Sequence, residues 1–314
     1  MNMASYAYGI DVGGTTVKCG LFQADGTYVE SWEIPTRTVD NGKNVVPDIA
    51  ETIRKNMEEH GLTKKEVAGI GIGVPGPVRE GGVVDGCVNL GWGVYHVGAE
   101  LSVLLGGIRV EVGNDANVAA LGEQWRGGGQ GYRNVVMITL GTGVGGGIII
   151  NGKILAGAHG AGGEIGHITV NRNETLACNC GKKGCLEQYG SATGIVRRAK
   201  EVLAANTKAS LLNPDTVTSK DVFDAAKTGD EAAVSVVQFA GRMLGQAAAT
   251  ITCVVDPDVI VIGGGVSKAG QILLDAITKY YAPNAFKACK DIPFKLAVLG
   301  NNAGMYGAVR MVLS

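Results

Sequence analysis

Two stretches of the chain, 128 residues apart, read as the same local structure. Tyr8-Gly-Ile-Asp-Val-Gly-Gly-Thr-Thr can be laid on Met137-Ile-Thr-Leu-Gly-Thr-Gly-Val with Gly13 over Gly141 and Gly14 over Thr142. In each, a β-rich run enters a Gly/Thr turn and a second β-rich run leaves it. A repeat of that period is far too long for a solenoid. It fits a duplicated α/β domain whose two halves face one another, and a length of 314 residues also favours two domains over one core. The expected division is a smaller N-terminal domain, 1–116 plus 301–314, and a larger C-terminal domain, 117–300.

The segments between the repeats support the α/β reading. Asp25-Gly26 is a hairpin-turn signal between VKCGLF and TYVESWEI. A helix is expected over 46–60, with Ile49, Ile53 and Met57 on one face and Gly61 as its stop. The apolar run VAGIGIGV before Pro75-Gly76-Pro77 reads as a strand, as does Ile108–Val112 before Gly113-Asn114-Asp115 and a helix, ANVAALGEQW. Later, apolar spacing predicts a helix over 230–252, a strand over Val259–Ile262 entering Gly263-Gly264-Gly265, a helix near 269–280, and a short last helix over 304–313. Residues 134–152 carry no charge over 19 positions but hold six glycines between VVMIT and IIIN. Two strands around a glycine-rich turn account for them better than a membrane span.

Composition excludes some functions. A net charge of −1 leaves no electrostatic footprint for nucleic acid or an anionic membrane. No basic region followed by an apolar stretch opens the chain, so no secretory signal is read and a cytoplasmic location is expected. There are 50 glycines, about twice the usual share of about 7%. They gather in short apolar runs, as expected where backbone approaches a ligand or turns tightly.

Those runs are the candidate chemistry. The turn of Gly13, Gly14, Thr15 and Thr16 offers backbone N–H groups and hydroxyls to phosphate oxygens without Cβ crowding. Asp11, at the end of the strand before it, could hold Mg²⁺ through water. No GK[ST] follows and the turn opens a strand, so it is not a Walker loop. Similar turns at LGTGVGGG and Gly263–Gly265 point to a nucleotide held between two domains. Asp115 stands where a strand hands over to a helix. It reads either as an N-cap or as a general base taking a proton from a substrate hydroxyl. The helix dipole favours its anionic form, and phosphoryl transfer asks for positioning more than basicity.

Three of seven cysteines lie in CNCGKKGC. In a reducing compartment such a cluster more often binds metal than forms disulfides. Cys178, Cys180 and Cys185 with His167, eleven residues upstream, make a Cys₃His set suited to tetrahedral zinc. The C-x-C-x₄-C spacing is not that of the common nucleic-acid fingers. Glu187, two residues past Cys185, would be fixed close to Glu164, so that two carboxylates and an imidazole could bind a polyhydroxylated ligand. Cys19, Cys87, Cys253 and Cys289 are expected only to pack.

In order, GIDVGGTTVK, GVPGPV, GNDANVAALGE, LGTGVGGGI, GGEIGHI, CNCGKKGCLEQ and VIGGGV resemble the ROK family (repressors, open reading frames, kinases) over essentially the whole chain. The resemblance implies a duplicated actin/hexokinase-like (ribonuclease H-like) two-domain α/β fold. It further implies ATP with Mg²⁺, a structural zinc and phosphorylation of a hexose, often by a homodimer. By position it makes Asp115 the base for the sugar 6-hydroxyl. Asn114, Glu164, His167 and Glu187 would bind the other hydroxyls, with Asn89 a further contributor. Asp11, Gly13, Gly14, Thr15, Thr16, Lys18, Thr142 and Gly143 would surround the phosphates and Mg²⁺, and Gly264 and Gly265 would flank the adenosine. His167 would turn one ring nitrogen to the metal and the other to the sugar.

GGEIGH with the full cysteine set is most similar to the bacterial glucokinase members, so glucose is the expected substrate. N-acetylmannosamine, mannose and fructose are the alternatives, and polyphosphate is an alternative donor. The family also holds sugar-responsive repressors that place a helix-turn-helix domain ahead of the kinase-like part. Here the phosphate turn follows residue 11, and that reading is not favoured.

Overall fold

The computed structural model describes residues 5–79, 81–205 and 209–314. The chain opens with β1 (Tyr6–Val12), β2 (Thr16–Gln23) and β3 (Tyr28–Pro35), followed by α1 (Val45–Glu59) and β4 (Val67–Val74). Three short strands come next, β5 (Val78–Arg79), β6 (Val83–Cys87) and β7 (Trp92–Tyr95), then α2 (Val97–Leu104), β8 (Val110–Asn114) and α3 (Asp115–Arg126). The repeat follows as β9 (Val135–Leu140), β10 (Val144–Ile150) and β11 (Lys153–Ile154). After it come α4 (Glu187–Gly190), α5 (Ala192–Ala205), α6 (Ser219–Lys227), α7 (Glu231–Val255), β12 (Val259–Gly263), α8 (Gln271–Tyr281), β13 (Phe294–Leu296) and α9 (Ala303–Leu313).

The duplication expected from the two Gly/Thr turns is visible in the sheets. One has the order β3-β2-β1-β4-β8 and the other β11-β10-β9-β12-β13, the same order position for position. In both, the strand that enters the turn pairs in parallel with the strand next to the far edge, β1 with β4 and β9 with β12. The uncharged stretch 134–152 is the β9–β10 hairpin, and among the described residues no helix is long and apolar enough to cross a membrane.

The chain forms two compact units. One holds the residues up to Gly131, Gly147–Gly163 and Leu299–Ser314, and the other Tyr132–Gly146 and Glu164–Val298. The first boundary lies after residue 131, not after 116 as expected. The reason is α3, whose packing partner within the first unit is α9: the carbonyl of Val118 in α3 would stand 1.7 Å from a Cβ placed on Gly307. Cutting the chain at 116 would separate α3 from that partner.

Within the first unit, β1 shows why its sequence is a central strand. Tyr8 and Ile10 point into a core with Ile49 and Ile53 of α1 and Leu101 of α2. Ala7 points the other way, against Met305, Val309 and Val312 of α9. A strand covered on both faces needs a near-continuous apolar run, as β4 also has. Each fully buried isoleucine or leucine contributes about 1.5–3 kcal/mol. α9 lies so close to the sheet that a Cβ on Gly71 would sit 1.8 Å from the Ala308 carbonyl oxygen. Part of the glycine excess therefore serves helix packing, in addition to the ligand approaches and tight turns expected from the sequence.

The sheet of β5, β6 and β7 and the helix α2 were not anticipated, because their runs are short and carry no clear period. The strand expected at 108–112 begins and ends two residues later, at Val110 and Asn114.

Candidate active site

In the first unit the turn after β1 is closed by the Gly13 N–H donating to the Thr16 carbonyl at 3.0 Å. It is braced from the end of β3, where Thr36 Oγ1 donates to the Gly13 carbonyl at 2.7 Å and the Thr36 N–H donates to the Thr15 carbonyl at 2.9 Å. Gly13, Gly14 and Thr15 are exposed. Thr36 carries no sequence signal: it acts across 23 residues of chain.

Asp11 is the electrostatic centre of this half. Burial first and Asp115 second, opposed by Lys18, raise its carboxyl to about 6. Room for the carboxylate is made by Gly304 of α9, where a Cβ would come within 2.5 Å of it. Lys18 faces Asp11 across the β1–β2 register. Its ammonium lies 3.7 Å from Glu33 and donates to the Asn301 carbonyl at 3.4 Å. In this arrangement Lys18 is held at the flank of Asp11, within the same half as the turn.

Asn114 and Asp115 divide the two readings that the sequence left to one residue. The N-cap of α3 is Asn114, whose Oδ1 accepts from Ala116 N at 3.1 Å and Asn117 N at 3.2 Å. Its Nδ2 donates to the Gly76 carbonyl at 3.1 Å, tying the helix start to the GVPGPV turn. Asp115 is therefore the first helical residue, with Oδ1 accepting from Ala116 N at 2.8 Å. The capping duty falls on its neighbour, and Asp115 is placed at the helix start beside Asp11. Asn89 is exposed in a 3₁₀ turn, Val88–Leu90. That turn directly follows Cys87, whose thiol is raised by burial and, more weakly, by Asp115.

In the second unit the Gly141–Gly143 turn is closed by the Gly141 N–H on the Gly143 carbonyl at 3.0 Å. The start of α5 holds it from outside: Ala192 N donates to the Gly141 carbonyl at 2.8 Å and Thr193 Oγ1 to the Thr142 carbonyl at 2.9 Å. Glu187 Oε2 accepts from Val144 N at 3.1 Å. Gly264 crosses the end of β9 so closely that a Cβ would lie 2.5 Å from the Leu140 carbonyl oxygen, and its φ is +82°. This brings Gly264 and the exposed Gly265 beside the turn that holds Thr142 and Gly143.

The cysteine cluster assembles as its spacing suggests. One ligand atom each from His167, Cys178, Cys180 and Cys185 lies within 4.8 Å of all the others. Cys180 and Cys185 sulfurs are 3.7 Å apart, and Cys178 Sγ is 3.9 Å from His167 Nδ1. Two Zn–S bonds of about 2.3 Å at a tetrahedral angle separate their sulfurs by about 3.8 Å, so the donor set fits zinc. Burial pushes the Cys185 thiol up to about 12 and raises Cys178, while the Lys182 backbone N–H lowers Cys180. Cys178 and Cys185, whose thiols resist ionisation, would be drawn to the thiolate form by a bound cation.

Gln188 stitches the loop: its Oε1 accepts from Gly184 N at 2.8 Å and Cys185 N at 3.1 Å, and its Nε2 donates to the Leu176 carbonyl at 3.0 Å. Glu174 adds a second tie, accepting from the Leu176 N–H at 3.0 Å, from Tyr189 Oη at 2.7 Å and from Arg197 at 2.9 Å, and these bonds, that of Leu176 first, hold its carboxyl down at about 2. Neither residue was singled out from the sequence. The remaining nitrogen of His167, Nε2, lies 3.8 Å from the exposed Glu164 carboxylate.

Two units of one topology, each with a Gly/Thr turn at the end of its first strand, one carrying a paired aspartate centre and the other a Cys₃His clip, define the class: this chain belongs to the ROK family, whose sequence profile matches residues 7–314. It is similar to the glucokinase of Halalkalibacterium halodurans, with 45% identity over 305 residues, 95% of this chain and 92% of that protein. The glucokinase of Thermotoga maritima is 35% identical over 97% of this chain and 96% of its own. Among solved structures, a ROK family glucokinase from Streptomyces griseus in complex with glucose and AMPPNP superposes with a TM-score of 0.75, at 32% identity and 98% coverage of both chains.

Proposed function

We propose that the protein transfers the γ-phosphoryl group of ATP to the 6-hydroxyl of glucose, with Asp115 as general base. The observation that carries this reading is the division of labour at the start of α3. Asn114 caps the helix, and Asp115, one residue on, is placed beside Asp11 with a carboxylate for the substrate proton. In the proposed step the Asp115 carboxylate takes the proton of the 6-hydroxyl as that oxygen bonds to the γ-phosphorus. The bond from phosphorus to the bridging oxygen breaks and ADP leaves. Such proton transfer contributes typically 10²–10⁴-fold.

The turns at 13–16 and 141–143 would hold phosphates through backbone N–H groups, and Gly264 and Gly265 would flank the adenosine. Asn89, Asn114, Glu164, His167 and Glu187 would hold the sugar. Asp11 fits Mg²⁺: a buried carboxyl pushed up by burial and by a second carboxylate favours a cation of high charge with oxygen ligands. Bound there through water, Mg²⁺ would neutralise charge on the transferring phosphate. His167, Cys178, Cys180 and Cys185 would hold zinc, which closes a tetrahedral clip and leaves the chemistry to other residues.

Similarity to glucokinases at 45% and 35% identity supports glucose over the other hexoses. A coupled assay of ATP consumption over glucose, mannose, fructose, N-acetylmannosamine and N-acetylglucosamine tests it. The highest kcat/KM is expected on glucose; a best rate on an amino sugar would overturn the substrate, and no ATP-dependent rate on any sugar would overturn the kinase.

A further inference from the structure

The two oxygens of Glu187 face two different structures. Oε2 accepts from the Val144 N–H, the first donor after the Gly141–Gly143 turn, at 3.1 Å. Oε1 lies 3.7 Å from Cys178 Sγ, a ligand atom of the metal clip. The turn is shaped around this carboxylate, since a Cβ on Gly143 would sit 2.2 Å from Oε2. Glu187 is also the first residue of α4, whose next residue, Gln188, stitches the clip backbone at Gly184 and Cys185. Its own carbonyl accepts from Ser191 Oγ at 2.6 Å, one residue before Ala192, which holds the Gly141 carbonyl.

The external ties on the turn all draw on its carbonyls or on Val144. Among the described residues, the Thr142 and Gly143 N–H groups have no protein partner. These are the groups that a phosphate would use, and Glu187 fixes the residue that follows them.

From this placement we infer that Glu187 is a positioning residue for the phosphate turn as well as a sugar ligand, so that sugar and nucleotide binding are coupled through one side chain. This deepens the kinase reading and rests on it. A sugar hydroxyl and the Val144 N–H both draw on the same carboxylate. Whatever orders that carboxylate for one ligand orders it for the other, and linkage makes the effect reciprocal.

The test separates the two duties with two substitutions. Glu187→Ala removes both. Glu187→Gln keeps a carbonyl oxygen for Val144 but loses the charge and one acceptor for the sugar. Calorimetry with AMPPNP in the absence of sugar is expected to show binding about tenfold weaker in Glu187→Ala and within about twofold of the parent in Glu187→Gln. Glucose affinity should fall in both. Hydrogen exchange at the Val144 amide should quicken in Glu187→Ala alone, a readout that needs no ligand.

If Val144 is equally protected in all three proteins, or if Glu187→Ala binds AMPPNP as the parent does, the positioning role is wrong while the kinase reading stands. If the parent binds no AMPPNP although Val144 exchange responds, the kinase reading and the coupling fall together. Gly143→Ala is an independent probe. By displacing the Glu187 carboxylate it should raise KM for glucose as well as for ATP; an effect on ATP alone would contradict the link.

Discussion

The two Gly/Thr turns share a strand order and a sequence pattern, yet they are held in place differently. Among the described residues the first, at 13–16, is braced by Thr36 through its hydroxyl and its backbone N–H. The second, at 141–143, is held by Ala192, by Thr193 and by Glu187. Acid placement differs as well. In the first half the carboxylate is part of the strand, Asp11 of β1, and it raises its own electrostatic cost by being buried near Asp115. In the second half Thr139 occupies the matching strand position, and the carboxylate arrives from α4 as Glu187, fixed by backbone N–H and clip. Duplication supplies a chassis of strand, turn and strand. Each copy then acquires its charge from a different element, which makes one half an acidic centre and the other a mount.

If that contrast is right, the largest effect of any substitution belongs to the acidic centre. Asp115→Asn keeps the size of the side chain and removes the proposed base; kcat is expected to fall about 10²–10⁴-fold, with glucose affinity changed only a few-fold by calorimetry. Near-normal turnover would remove Asp115 from the chemistry and leave the first unit without a base.

Asp11 sharpens the same contrast through pH. Its carboxyl is raised from 3.8 to about 6 in the folded protein, first by burial and then by Asp115. Between those values the folded state holds a proton that the unfolded state has released. Stability of the Mg²⁺-free protein therefore declines as pH rises from about 4 to about 6 and is level above, a total of about 3 kcal/mol at most. Asp11→Asn should abolish that slope, matching the parent near pH 4 and exceeding its stability at pH 7 in urea unfolding, while turnover is lost. A parallel pH slope in both proteins would assign the strain to another group.

In the mount, Cys180 is exposed and its sulfur makes its contacts with the other donors, so Cys180→Ser tests the metal with little effect on packing. Elemental analysis is expected to find about one zinc per chain in the parent. The variant should lose metal affinity by more than the about 10–100-fold typical of losing an outer-shell partner, with a higher KM for glucose and a smaller change in kcat. An active, metal-free protein with unchanged KM would show that Gln188 and Glu174 hold the loop by themselves.

How far the sequence could be read follows the same division. The turn at 13–16 and the gathering of the three cysteines with His167 were legible because each is a local pattern: a few residues whose types and spacing state how the backbone runs there. The duplicated sheet was legible because its two strand–turn–strand units survive as similar strings. What escaped depends on residues distant in the chain. Thr36 reaches back 23 positions to Gly13, and Gly304 makes room for a carboxylate nearly three hundred positions earlier. Neither a threonine after a strand nor a glycine in a last helix announces such a contact. The identity of the cap at 114–115 escaped for another reason. Asn and Asp are almost equally good N-caps, and only the backbone conformation of Asn114, with φ −63° and ψ 139°, decides between them.

A matched pair of small substitutions bears most directly on the difference in bracing. Thr36→Val removes the hydroxyl that donates to Gly13, and Thr193→Val removes the one that donates to Thr142, at 2.7 and 2.9 Å in the parent. Each is a hydrogen bond of about 1 kcal/mol by itself. Among the described residues, the first turn keeps the Thr36 backbone N–H as its brace afterwards, whereas the second keeps Ala192 and the charged acceptor Glu187. Thr36→Val is therefore expected to raise KM for ATP about fivefold and to quicken amide exchange through 13–16. Thr193→Val should stay within about twofold. Equal effects would mean that the carbonyl tie, and not the number of ties, sets the shape of a phosphate turn; a larger effect from Thr193→Val would place the dominant phosphate contact in the second unit.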